Sequence, residues 1–156
     1  HNCELANRVV MVNFASLSGY CVVEDQAFLS GMVGLHQFTR VGKLAIVSAL
    51  SAVNKDVPPF FMCGGRPARA QGINVVGLRR AKIQAASRQE IKEAFRCLYR
   101  SGLNVGQAVE AMEKELHSEE VRHLVAFIRS SKRGIVTARD GACEMHEVGE
   151  MAEDMS

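Results

Sequence analysis

Tryptophan is absent from the 156 residues, and the aromatics come to seven Phe and two Tyr. The formal net charge is only +2. Few aromatics and so little charge give no support to nucleic-acid binding. No apolar run reaches the roughly 18 residues that a membrane-crossing helix needs. The five cysteines are an odd number with no CxxC pair, so neither a disulfide scaffold nor a zinc ribbon is indicated. No basic stretch followed by an apolar core opens the chain, so no signal peptide is visible. An initiator Met is also missing. Residue 1 is His, and the chain is expected to begin inside a longer protein. What is present is ordinary: 47% apolar and 23% charged residues, a balance that argues against wholesale disorder and suffices for a buried core.

The first third of the chain repeats with a period of six. Leu5, Met11, Leu17, Val23, Leu29, Leu35, Val41, Val47 and Val53 are all aliphatic or Met. Two residues before each stands Cys3, Val9, Ala15, Cys21, Ala27, Val33, Thr39, Ala45 or Ser51, all small or β-branched. Two residues after each, turn formers predominate, among them Asn7, Asn13, Gly19, Asp25 and Gly31. A period of six fits neither a helix face nor an alternating strand. It fits a short strand and a turn, repeated, with three units closing one triangular coil of 18 residues. Nine units make three coils of a left-handed parallel β-helix, an exception to the usual right-handed crossover. Residues 18 apart then stack about 4.8 Å apart, the spacing of neighbouring strands. His1, Gly19 and Gln37 share one corner column, with Ser18, His36 and Asn54 around the adjacent one. Cys3 and Cys21 also stack, close enough for a disulfide, although two small core thiols are the plainer reading.

The repeat stops at Asp56-Val57-Pro58-Pro59, where two prolines remove ladder donors. Loops are expected at 64–67 and 70–74. Ser87-x-x-Glu90 reads as a capping box that opens a helix carrying Ile91, Ala94, Phe95 and Leu98 on one face, with Gly102 closing it. Asn104-x-x-Gln107 opens a second helix, and Ser118 caps a third that Gly134 ends. The expected organisation is β-helix coils over 1–56, linker loops over 57–86, a helical domain over 87–138 and an acidic, disordered tail over 139–156. Residues 66–100 hold nine Lys/Arg against two Glu. Such a face is either merely solvated or suited to a diphosphate or an acidic protein partner.

Several blocks carry a resemblance over residues 1–138. They are His1-Asn2-Cys3, Gly31-Met32-Val33-Gly34-Leu35-His36-Gln37-Phe38, Asp56-Val57-Pro58-Pro59-Phe60, Gly72-Ile73-Asn74-Val75-Val76-Gly77-Leu78-Arg79-Arg80, Tyr99-Arg100-Ser101-Gly102 and Phe127–Ile135. In that order they resemble the C-terminal part of the acyl-[acyl-carrier-protein]–UDP-N-acetylglucosamine O-acyltransferases, the bacterial enzymes that begin lipid A synthesis. The resemblance implies a cytoplasmic homotrimer with each active site in the cleft between adjacent β-helices. It implies no bound cofactor; the donor substrate is the acyl-phosphopantetheine of acyl carrier protein, and the acceptor is the 3-hydroxyl of UDP-N-acetylglucosamine. His1 aligns with the general base, a role that suits an imidazole with a near-neutral pKa. Gly19 aligns with the residue whose backbone N–H receives the oxyanion, although a corner glycine with positive φ is a sufficient structural reason for it. His36 and Gln37 match residues lining the nucleotide-sugar pocket. Asn74 and Arg80 match contacts to the nucleotide or its phosphates, which an Arg fork can bind bidentately. Ala49 matches the acyl-length determinant, which is small where chains are long.

The chain departs from the pattern at several positions. Asn2 stands where an Asp is frequent beside the base, Tyr20 where a His is usual, Val76 where an acid is usual, and Ala81 in place of the second Arg of a pair. The family has several coils before the aligned His. This segment by itself is therefore expected to expose a strand edge and to be poorly soluble or inactive. Three other functions stay open. One is another hexapeptide acyltransferase, N-acyl or acetyl. Another is a γ-type carbonic anhydrase, which needs three His on zinc where the repeat supplies only His1 and His36. The third is a non-catalytic trimeric β-helix.

Overall fold

The computed structural model describes residues 1–138. The hexads become nine two-residue strands: β1 (Glu4–Leu5), β2 (Val10–Met11), β3 (Ser16–Leu17), β4 (Val22–Val23), β5 (Phe28–Leu29), β6 (Gly34–Leu35), β7 (Arg40–Val41), β8 (Ile46–Val47) and β9 (Ala52–Val53). Each of the first six pairs in parallel with the strand 18 residues later. Leu5, Val23 and Val41 align on one wall, Met11, Leu29 and Val47 on a second, and Leu17, Leu35 and Val53 on the third. The three walls enclose a triangular left-handed parallel β-helix of three coils.

The corners use one left-handed residue per hexad. Asn2, Arg8, Phe14, Tyr20, Gln26, Met32, Phe38, Leu44 and Leu50 all have φ between 55° and 66°. For residues with a Cβ this conformation costs about 1–2 kcal/mol each. It is offset by the ladder it permits, in which the N–H of Tyr20, Met32 and Leu44 each donates to a carbonyl one coil back, at 3.0 Å. The inward aliphatics of the second and third coils are buried, Val23, Leu29, Val41 and Val47 completely. Each such side chain contributes about 1.5–3 kcal/mol relative to exposure. Cys3 donates to Ser18 O and Cys21 to His36 O, and both thiols are free.

Residues 57–86 are not the linker that the prolines suggested. After one parallel bridge between Val41 and Val57, the chain forms β10 (Phe61–Gly65), turns at Arg66-Pro67 and returns as β11 (Ala68–Ile73). Met62 and Cys63 of β10 pair in parallel with Ile46 and Val47, so β10 adds a strand to the second wall. Only the turn was a loop, and residues 70–73 are strand. The prolines interrupt the ladder without ending it, because the apolar alternation Phe61, Cys63 resumes immediately. Helix α1 (Val75–Arg80) then lies within the remainder.

Three longer helices follow: α2 (Ala85–Arg100), α3 (Val105–Glu115) and α4 (Glu119–Arg129). α2 buries Ile91, Ala94, Phe95 and Leu98 against α3, α4 and β11. Its N-cap is Gln84, three residues before the expected cap Ser87, which lies inside the helix. Glu90 does not close a capping box. Its carboxylate instead accepts the N–H groups of Ser118, at 2.7 Å, and His117, at the start of α4. The Asn104–Gln107 capping box is present in both directions, and Ser118 caps α4 through the Val121 N–H. Gly102, with φ 75°, follows the C-cap of α2. Gly134 does not end α4, which stops at Arg129. It stands at φ 77° just before Ile135, which bridges Asp56, and its carbonyl accepts the Asp56 N–H.

Asp56 fastens the helices to the β-helix. It is buried, and its carboxylate accepts the Arg40 N–H, the Arg40 Nε–H and the Ser131 hydroxyl. The Arg40 guanidinium lies over the Phe127 ring and donates to Phe127 O at 2.6 Å. The expected tail, 139–156, lies outside the described residues.

Candidate functional site

One corner gathers four of the residues singled out in the sequence. His1, Gly19 and Gln37 follow one another along it, linked by Tyr20 N–H to His1 O and Phe38 N–H to Gly19 O, both 3.0 Å. His36 is their neighbour at the end of β6.

The His1 ring is exposed and lies against the Gly19 Cα. Its Nδ1 sits 3.2 Å from Asn2 Oδ1. An amide oxygen only accepts, so Nδ1–H is the donor and Nε2 carries the free lone pair. Gly19 is glycine for this ring. A Cβ there would stand 2.6 Å from His1 Cε1 and 2.7 Å from Nε2, closer than real contacts allow. The expected reason, a positive φ, does not apply, because the left-handed residue of this corner is Tyr20 at φ 58°. Among the described residues no acceptor takes the Gly19 N–H. The Nε2 edge of the imidazole thus lies against Gly19, whose N–H is unengaged, and a base beside a free backbone N–H suits proton abstraction next to a developing oxyanion.

His36 is exposed, and its Nδ1–H donates to Gln37 O at 3.1 Å, leaving Nε2 outward as an acceptor. Two aromatics that the sequence reading did not assign to the site complete the corner. Tyr20 meets the His1 ring edge to face, with centroids 5.4 Å apart and planes at 90°. Phe38, 18 residues on, stacks on Tyr20 at 5.3 Å and 18°. The signal was present as two aromatics one coil apart.

The remaining residues lie elsewhere. Asn74 is 5% exposed and engaged internally. Its Nδ2–H donates to Leu44 O at 2.8 Å, and its Oδ1 accepts the Gly77 N–H as the N-cap of α1. Both polar ends of the Asn74 amide are thereby satisfied within the chain, as a buried amide requires. Arg80 stands exposed at the end of α1 with Arg79, and Lys82 follows, none of them in an ion pair among the described residues. Ala49 is exposed on the corner that carries Phe14, Met32 and Leu50. One chain therefore brings His1, Gly19, His36 and Gln37 together and does not bring Asn74, Arg80 or Ala49 to them.

A second polar junction joins α4 to the coils. His123 Nε2 lies 2.8 Å from Glu24 Oε2, which also accepts the Lys43 N–H. Burial raises the Glu24 pKa, but the hydrogen bonds from His123 and Lys43 outweigh it and hold the carboxyl below its ordinary value. Among the described residues no group of three His, Cys, Asp or Glu side chains could hold a metal ion.

Comparison with known proteins places the chain. The model of the UDP-N-acetylglucosamine O-acyltransferase second domain matches residues 56–136. The chain is 39% identical over 141 residues to an acyl-[acyl-carrier-protein]–UDP-N-acetylglucosamine O-acyltransferase of Gloeothece citriformis, covering 90% of this chain and 50% of that one. It is 41% identical over 139 residues to the Alkalilimnicola ehrlichii protein of that description, covering 87% and 53%. The solved UDP-N-acetylglucosamine acyltransferase of Francisella novicida superposes with a TM-score of 0.84 at 34% identity, over 94% of this chain and 57% of that one. The chain spans about half the length of the curated relatives it matches.

Proposed function

The chain belongs to the UDP-N-acetylglucosamine O-acyltransferase family, and on that premise we propose that it carries the catalytic corner of an enzyme moving an acyl chain from acyl carrier protein to the 3-hydroxyl of UDP-N-acetylglucosamine, the first step of lipid A synthesis. The observation that carries the reading is the packing of the His1 imidazole, its Nε2 edge included, against Gly19, whose N–H is unengaged.

In this reading Nε2 takes the proton of the sugar hydroxyl as its oxygen bonds to the thioester carbonyl carbon. The carbonyl oxygen becomes an oxyanion and accepts the Gly19 N–H. Collapse of the tetrahedral intermediate breaks the C–S bond, and the departing phosphopantetheine thiolate takes the proton back from Nε2–H. Asn2 fixes the tautomer through Nδ1 but is neutral, so it lends no charge to the imidazolium. Arg79, Arg80 and Lys82 supply positive charge for the diphosphate.

Partition over three corners supports a site built from neighbouring copies. His1 lies on one corner, Asn74 bonds to the Leu44 corner, and Ala49 lies on the third. The third corner exposes Phe14 (80%), Met32 (56%) and Leu50 (50%), an apolar column suited to burial between copies of a homotrimer. A cytoplasmic setting belongs to the same proposal. Among the described residues no helix is long and apolar enough to cross a membrane.

The test is the chemistry of the acceptor. Full-length protein with acyl carrier protein thioester should convert UDP-N-acetylglucosamine to an alkali-labile O-ester, followed by mass spectrometry. An alkali-stable amide on a 3-amino sugar nucleotide as the favoured product, or transfer only from coenzyme A, would assign the chain to another hexapeptide acyltransferase.

A further inference from the structure

Nothing in the family's acid–base chemistry calls for an aromatic ring beside the base, yet this chain builds one. We propose that Tyr20 is a positioning residue that fixes the plane of the His1 imidazole, with Phe38 as its buttress. The proposal rests on the reading of His1 as the base.

Three contacts surround the imidazole. Asn2 Oδ1 receives Nδ1–H, Gly19 leaves room beneath Cε1 and Nε2, and Tyr20 stands perpendicular to the ring at 5.4 Å. The polar contact is 3.2 Å long and exposed, and its acceptor is neutral. Such a bond contributes little and turns easily with the amide. A perpendicular aromatic contact resists that turning, because edge-to-face attraction is lost as the planes rotate. Tyr20 is itself restrained. Its N–H is bonded to His1 O, its φ of 58° belongs to the corner, and its ring is stacked on Phe38 at 18°. The Tyr20 hydroxyl makes no hydrogen bond among the described residues, so the ring is what acts. Where the neighbour of an imidazole is a carboxylate, a charge-assisted hydrogen bond can hold the ring. Here a neutral Asn2 leaves that task to the aromatic pair.

The role is read in two ways that a purely structural residue would not affect. In the full-length protein, Tyr20→Leu should lower kcat roughly three- to tenfold, with KM for the nucleotide sugar within about twofold of wild type. Tyr20→Phe should retain wild-type kcat. Independently of turnover, the His1 ring-proton resonance should carry a ring-current shift that Tyr20→Leu removes and Tyr20→Phe keeps. Phe38→Ala combined with Tyr20→Leu should cost less than the sum of the two. An unchanged kcat and an unchanged His1 resonance in Tyr20→Leu would overturn the proposal, as would equal losses in the Phe and Leu variants. His1→Ala, assayed alongside, separates the two ideas. If it keeps activity the base reading fails, and if it abolishes activity while Tyr20→Leu changes nothing, only the positioning role fails.

Discussion

At the scale of single residues, Gly19 is where conformation and chemistry diverge. A glycine at a turn invites an argument from φ, but the left-handed position here is the next residue, Tyr20. The hydrogen side chain is needed because the His1 ring occupies the space a methyl would take. Gly19→Ala should therefore leave the backbone unstrained and push the imidazole off its place. The expected result is a loss of acyl transfer of roughly 100-fold, with Tm within a few degrees of wild type. Activity near wild type would show that the ring does not need this position. His1, Gly19 and Gln37 were legible because a strict period of 18 converts sequence spacing into neighbourhood. The surroundings of Asn74 were not legible, because the motif that flags it says nothing of burial or of the bonds its amide makes to Leu44 and Gly77.

At the scale of elements, the coils were readable from two columns of side-chain size, whereas the hairpin after them was not. Pro58 and Pro59 gave a stop signal, and the two-residue alternation of β10 was too short to outweigh it. Helix faces followed the apolar periodicity, as α2 shows with Ile91, Ala94, Phe95 and Leu98. The start of that helix did not, since Glu90 caps a different helix, α4. Contacts between elements carry pH dependence. Glu24 has its folded pKa below the ordinary carboxyl value of 4.5, so its contribution is present above that pH and is lost as pH falls through the folded value. Replacing Glu24 by Gln should lower Tm by roughly 2–4 °C at pH 7, and the difference from wild type should shrink below about pH 4.5. Thermal melts across that range check it, and a gap that widened on acidification would contradict the assignment.

For the whole molecule, the β-helix and the helices act as one body through Asp56, whose carboxylate binds Arg40 and Ser131 while Arg40 reaches Phe127. This clamp joins coil three to α4, and no pattern in the sequence announced it. The same three-cornered geometry that brings His1 and Gly19 together separates them from Arg80 and Ala49. In the proposed homotrimer, assembly of the site would fall to neighbouring copies. The central claim is that His1 Nε2 removes the acceptor proton, and the most direct measurement is acyl transfer by the full-length protein with His1 replaced by Ala. Initial rates of ester formation on UDP-N-acetylglucosamine should fall by about 10²–10⁴-fold, with the oligomeric state and Tm of the unsubstituted protein retained. A rate within about threefold of wild type would contradict the account.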